Sequence, residues 1–340
     1  LADGTGIEWA DATWNPITGC AVLSPGCTNC YAMKLAGTRL QHHPSRAGLT
    51  IDTKAGPVWN GQVRLNEQWL DQPRRWKRPR MIFVVAHGDL FYAPEEMIDR
   101  TFDAMEAAPW HIYQILTKRT EAMLEYVRRR GSRRPPKIWW GTSAEDHKHA
   151  ELRVSHLLKI PLLQDDRFFV SAEPLLGHIN LRWLHIGNGI YLDALTGFHS
   201  SGMEIASFED VSKGALNALP VLPGPTGHLH LVIAGGENGP RPTHPDWVRS
   251  LRDQTKWASA AFHFKQWGSW APIPRRADLP GNPAMVRAGD CLVSLEGQSH
   301  VLSGDLGSPL EGEGSAAMRR IGKAKAGAML DGREWREIPA

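Results

Sequence analysis

Short apolar runs rich in β-branched and aromatic residues recur at a near-constant interval through the middle of the chain. They read MIFVVA (81–86), HIYQIL (111–116), KIWWGT (137–142), RFFVS (167–171), HLHLVIAG (228–235) and AFHFKQ (261–266), mostly bounded by Gly, Pro or charged residues. Runs of this length between such boundaries suit buried strands. Stretches with helical spacing separate them at 95–108, 119–130, 146–159 and 245–258. The last carries a start signal, with Thr243 three residues before Asp246 and Pro245 in the first turn. The first four strand starts fall about 30 residues apart, the length of one βαβ unit. Such alternation predicts an α/β fold with a parallel sheet and right-handed crossovers, which a doubly wound sheet or a (β/α) barrel satisfies. No strand–turn–helix junction carries G-x-G-x-x-G or a P-loop, and this favours a full or partial barrel.

The barrel is expected over 1–271, with the Gly, Ser and Pro content of 178–227 marking an insertion on one loop. Residues 272–340 form a C-terminal extension, irregular over 272–318, whose patterned tail at 321–339 packs back on the body. At 340 residues the chain can bury a substantial core, and its 42% apolar and 22% charged content is that of a globular protein. No apolar run approaches the roughly 20 residues a membrane helix needs. The opening residues lack a basic segment followed by an apolar one, so a cytoplasmic protein with no membrane partner is expected.

Lys and Arg number 39 against 36 Asp and Glu, a formal charge of +3 that neither demands nor excludes nucleic acid. The basic residues bunch as Arg74, Arg75, Lys77, Arg78 and Arg80, then as Arg128, Arg129, Arg130, Arg133 and Arg134. Bunches of this kind are solvated faces or phosphate contacts.

Three of the four cysteines fall within eleven positions, in TWNPITGCAVLSPGCTNCYAMKLAG. A disulfide framework would leave one of the three unpaired and does not suit a reducing compartment, so the cluster points to metal. Cys20, Cys27 and Cys30 can hold three irons of a [4Fe–4S] cube and leave the fourth open, where an ordinary ferredoxin cluster takes four cysteines. An open iron is what S-adenosylmethionine needs in order to chelate. The alternative is a zinc site completed by His42 or His43 in a non-catalytic module that binds nucleic acid or a partner protein, although that spacing is longer than the usual finger pattern. Cys291 stands alone in a Gly- and Ser-rich region and reads as an incidental thiol.

Chemistry in parallel barrels gathers at the C-terminal ends of the strands. There the chain offers AHGDLF (86–91), ILTKR (115–119), GTSAED (141–146), VSAEP (170–174), AGGENGP (234–240) and FKQWG (264–268). Each ends its apolar run on Asp, Glu or Lys, and Glu145, Glu173 and Glu237 would set three carboxylates around one mouth.

Taken in order, ATWNPITGC, SPGCTNCYA, GDLF, ILTKR, GTSAED, SAEPLLG, AGGENGPRPTHPDW, FKQWG and the terminal GKAKAG and MLDGREW resemble the phage gene-product-37/gene-product-68 family, the phage three-cysteine-motif proteins. The resemblance covers the chain outside 178–227 and 272–318. It implies a radical S-adenosylmethionine-like barrel, distantly similar to spore photoproduct lyase, that generates a 5′-deoxyadenosyl radical. By position it puts Gly88 and Asp89 at the cofactor's amino group, and Thr117, Ser143 and Glu145 along its ribose and methionine portions. Glu173, Glu237 and Lys265 are then left for substrate. The implied partners are an electron donor and a nucleic-acid base or modified nucleotide in a phage or prophage setting. One departure stands out: the usual loop is C-x3-C-x2-C, and here the first gap has six residues.

Overall fold

In the computed structural model, which describes residues 5–201, 227–273, 286–303 and 314–339, the six apolar runs form strands that pair in parallel. They are β2 (Met81–Val84), β3 (Ile112–Thr117), β4 (Ile138–Ser143), β5 (Arg167–Ala172), β6 (Leu231–Gly235) and β7 (Ala261–Gln266). A three-residue strand that the sequence pattern does not announce, β1 (Ala12–Trp14), pairs with β2 through Thr13 opposite Phe83. Spatial order follows chain order from β1 to β7, so the sheet never reverses at a switch point as a doubly wound sheet does. The result is a seven-stranded parallel sheet curled into a half-barrel.

Strand alternation places apolar side chains on both faces, as a sheet buried on each side requires. Ile82, Val84, Ile138, Trp140, Phe168, Val170, Val232 and Ala234 join one core with helix residues such as Phe102, Met123, Val154 and Val248. Phe83, Trp139, Phe169, Leu231 and Ile233, one step out of phase, gather on the other face around Trp9. The Trp9 ring meets Phe83 edge-on at 4.9 Å, and Gln114 donates to the Trp9 carbonyl at 3.0 Å. An N-terminal residue therefore fills the inner face.

The outer helices are α2 (Glu95–Glu106), α3 (Thr120–Arg130), α4 (His147–Leu157) and α5 (Pro245–Trp257), and a short α1 (Tyr31–Ala36) follows the cysteines. Asp146 caps α4 by accepting from the His149 amide at 2.9 Å. The start of α5 corrects the sequence expectation. His244 is the cap, accepting from the Asp246 amide at 3.1 Å, while the Thr243 hydroxyl is drawn away to the Leu175 carbonyl at 2.9 Å. Among the described residues, no helix is long and apolar enough to cross a membrane.

The insertion contributes a three-stranded antiparallel sheet from Leu184–Gly187, Ile190–Leu192 and His199–Ser201, and the rest of it, 202–226, lies outside the described residues. The extension expected to be irregular over 272–318 is instead partly a β-structure. Trp270–Pro272, Ser315–Arg320, Cys291–Ser294 and Ser299–Val301 pair as a four-stranded antiparallel sheet, and 274–285 and 304–313 lie outside the described residues. Its Gly and Ser residues conceal strands whose buried positions alternate through Cys291, Val293, Ala316 and Met318. Cys291 is thus a core thiol. The tail packs back as expected, with the Phe264 amide donating to Trp335 O at 2.9 Å and the Phe262 amide to Glu337 Oε2 at 3.0 Å. It covers the open edge of β7, which would otherwise offer unpaired backbone groups.

Candidate functional site

The cysteine loop lies over the C-terminal ends of the strands and is fastened to four of them. Gly19 forms a parallel bridge with Gly88 beyond β2, and its amide donates to His87 O at 3.1 Å. Tyr31, next to Cys30, donates its hydroxyl to Ala86 O at 2.8 Å. From the end of β3, Arg119 donates to Ala21 O at 3.1 Å and approaches Cys20 Sγ at 3.9 Å. Ser24 donates to Glu145 Oε1, beyond β4, at 2.5 Å. Arg241, after β6, donates to Pro25 O at 3.0 Å.

Glu145 is the central post of this arrangement. Its side chain is fully buried, with Lys118 Nζ and Ser24 on Oε1 and Arg153 Nη1 on Oε2 at 2.7 Å. Burial alone would raise its pKa, but Lys118, Arg153 and the hydrogen bonds outweigh it and bring the carboxyl down to about 2. Gly26 of the cysteine loop lies directly over this carboxylate: a Cβ there would stand 2.3 Å from Oε1. Only a residue without a side chain lets the loop sit this close.

Asp89 has the same role beyond β2, two strands away. It accepts from the Phe91 amide at 3.1 Å, Thr117 Oγ1 at 2.6 Å, the Lys118 amide at 3.1 Å and Arg119 Nη1 at 2.9 Å. Of the five residues expected along the cofactor, Thr117, Asp89 and Glu145 therefore face protein partners, and the half-exposed one is Gly88. Ser143 ends β4 and gives its carbonyl to Arg153 Nη1 at 2.7 Å. Arg153 and Arg241 carry a signal in the sequence, since they stand eight and four residues past Glu145 and Glu237. Lys118 and Arg119 lie inside ILTKR, whose position marks a strand end without assigning a task to either cation. Ser24 has no signal.

On the far side of the mouth, Lys265 Nζ pairs with Glu173 Oε1 at 3.0 Å. Glu173 follows β5 directly, and its carboxylate crosses the end of β6 to reach β7 over Gly235, where a Cβ would stand 2.7 Å from Oε1. Glu237 is taken by Arg241, whose Nε lies 3.1 Å from both carboxylate oxygens.

Cys20, Cys27 and Cys30 are free and half-exposed. Burial, followed by the nearby Asp89, pushes the Cys20 thiol up to about 12, and Arg119 acts against both. Burial also raises Cys30, opposed by the Met33 and Ala32 amides at the start of α1. Ligation to a cation would offset these costs by deprotonating the thiols. Among the described residues, no three His, Cys, Asp or Glu side chains are grouped to hold one metal ion. A mononuclear zinc needs thiolates about 3.8 Å apart. A cube is less demanding, because its ligating sulfurs go to three different irons and stand further apart. His43, one candidate for a fourth zinc ligand, is engaged with Ser45 Oγ at 2.5 Å and stacked on Trp69. Three free cysteines on one loop are the donor set of a cluster with one open iron.

Both arginine bunches lie at the opposite end of the sheet, one leading into β2 and the other closing α3 ahead of β4. Arg130 is buried against Asp99, Asp103 and Glu106 at 2.6 to 3.2 Å, and Arg134 against Asp166 at 2.6 Å. These two are structural.

Fold and site together define an open parallel α/β half-barrel with a three-cysteine loop strapped across the C-terminal ends of its strands. Residues 4–339 match the family described as "Protein of unknown function (DUF5131)", and the chain belongs to that family. Neither the curated proteins nor the solved structures contain a match to the chain.

Proposed function

We propose that this chain is an iron–sulfur enzyme of the radical S-adenosylmethionine type, with Cys20, Cys27 and Cys30 holding a [4Fe–4S] cluster. The observation that carries the reading is the strapping of a three-cysteine loop across the mouth of a half-barrel by contacts from four strand ends. When bound, such a cluster supplies one-electron chemistry on S-adenosylmethionine at its open iron. The protein's task is to position and to exclude water. Arg119 places a cation beside Cys20, and the α1 amides favour the Cys30 thiolate. Asp89 and Glu145 act as positioning residues that hold Arg119, Lys118 and the loop. Gly88 and Ser143 are the residues left for direct cofactor contact. The Lys265–Glu173 pair keeps some exposure, 24% and 15%, and can hold a proton at Nζ against a bound substrate. Glu237, clamped by Arg241, shapes the wall beside it.

Protein purified without oxygen is expected to carry about four irons and four sulfides per chain. With a strong reductant it should convert S-adenosylmethionine to methionine and 5′-deoxyadenosine. A colourless protein with one stoichiometric zinc overturns the reading.

The motif resemblance to the phage three-cysteine-motif proteins supports a nucleic-acid base or modified nucleotide as substrate. A base in a duplex must be flipped out or met in a single strand, at a few kcal/mol. Because the arginine bunches sit at the other end, affinity has to come from the mouth. Single-stranded DNA should therefore bind with affinity that falls as salt rises, and Lys265→Ala should weaken it more than Arg74→Ala. No binding at low salt would redirect the search to free nucleotides or other small molecules.

A further inference from the structure

Arg46 is 4% exposed, its Nε has no hydrogen-bond partner, and among the described residues no carboxylate pairs with it. A buried cation without a counter-ion is costly and calls for an explanation. Trp69 lies 5.7 Å from the guanidinium and offsets some of the cost. Both terminal nitrogens are in use: Nη1 donates to Ser45 Oγ at 2.5 Å and Nη2 to His87 Nδ1 at 2.6 Å. A guanidinium can only donate, so Nδ1 of His87 is the acceptor, and the ring is a neutral imidazole with its proton on Nε2. Burial, followed by the charge of Arg46, brings the His87 pKa down to about 4, consistent with a ring that stays neutral at ordinary pH.

His87 sits at the mouth just beyond β2, where its own carbonyl accepts from the Gly19 amide and the Ala86 carbonyl before it accepts from the Tyr31 hydroxyl. Its amide is held by Asn15 Oδ1 at 3.0 Å, and its half-exposed ring stands edge-on to the exposed Tyr31 at 5.8 Å. This imidazole cannot serve as a base, because its in-plane lone pair is occupied by Arg46. What remains is a donor, Nε2–H, backed by a buried positive charge.

We propose that Arg46 and His87 form an oxyanion-binding site at the β2 edge of the mouth, taking a carboxylate or phosphate oxygen of a ligand on His87 Nε2–H. The ligand anion supplies the counter-charge that the fold withholds from Arg46. The site stands without the cluster, because it uses none of the cysteines. The oxyanion can come from the carboxylate of S-adenosylmethionine or from the phosphate of a substrate, and two probes separate these sources.

The full chain, labelled with 15N-histidine, is titrated with inorganic phosphate and, separately, with S-adenosylmethionine, in iron-loaded and iron-free form. The His87 signal, assigned by its loss in His87→Gln, should show an unprotonated Nδ1 and a protonated Nε2 that do not titrate from about pH 5.5 to 8. A saturable shift with phosphate supports the site with a phosphate-bearing substrate. A shift with S-adenosylmethionine alone supports it with the cofactor as source. Equilibrium dialysis with the responding probe then tests the variants. His87→Gln, whose Oε1 can accept from Arg46 while its amide nitrogen donates, should keep affinity within about threefold. His87→Ala should lose about tenfold or more, as expected for a charge-assisted hydrogen bond. A proton on Nδ1, no shift with either probe, or native affinity in a folded His87→Ala overturns the proposal. Binding by iron-free protein separates its fate from that of the cluster reading.

Discussion

Replacing Cys20, Cys27 and Cys30 together with Ala should reduce the iron content from about four per chain to nearly none, while the melting temperature of the iron-free protein barely moves. The two effects separate because the thiols carry little of the loop's attachment. Gly19 is held through its backbone, Ser24 by Glu145, and Ala21 and Pro25 by arginines, all without sulfur. The closest polar contacts of Cys20 and Cys27 with other side chains, to Arg119 at 3.9 Å and Ser24 at 3.8 Å, are long. Cys291→Ala should give the opposite pattern. Its thiol is 2% exposed in the antiparallel sheet, so removal costs about 1 kcal/mol of stability and leaves iron unchanged. Metal analysis of anaerobic preparations, with calorimetry of the iron-free proteins, reads both. Iron retained by the triple variant would show that the loop is not the metal site.

The largest loss of stability is expected from Glu145→Ala. Removing this carboxylate leaves Lys118 and Arg153, with side chains 17% and 6% exposed, facing each other without a counter-ion. Breaking a buried pair in this way costs about 3–5 kcal/mol. The pH dependence follows from a folded pKa of about 2 against an ordinary 4.5. A depressed carboxyl pKa stabilises the fold fully above the unfolded value, and that contribution fades as pH falls through the folded one. The shift corresponds to about 3 kcal/mol, present above about pH 5 and lost towards pH 2. Urea unfolding of the native chain and the variant across that window should show their difference shrinking with acid. A difference that stays constant from pH 7 to pH 2.5 would mean that packing under Gly26, and not charge, makes Glu145 important.

The half-barrel was legible in the sequence because buried parallel strands are continuous apolar runs and crossover helices fix their spacing at about 30 residues. The short β1 was not, since three residues carry no usable period and only its pairing with β2 makes it a strand. The strands of the extension were hidden for a similar reason, being short and separated by Gly-rich turns.

At the mouth, the sequence by itself determined which residue types stand at which strand end, because alternation and strand length put Asp89, Glu145, Glu173, Glu237 and Lys265 there. It also determined that three cysteines share one loop. Which charge meets which was decided only by the tertiary structure. Glu173 reaches Lys265 because Gly235 leaves room to pass, Glu237 turns to Arg241, and Glu145 goes under Gly26 to Lys118 and Arg153. Periodicity places a residue along its own strand, whereas a salt bridge depends on the curl of the sheet and the space left by neighbours. The same holds for Arg46 and His87, 41 positions apart: no spacing rule joins them, and only the folded loop brings a buried cation against one ring nitrogen.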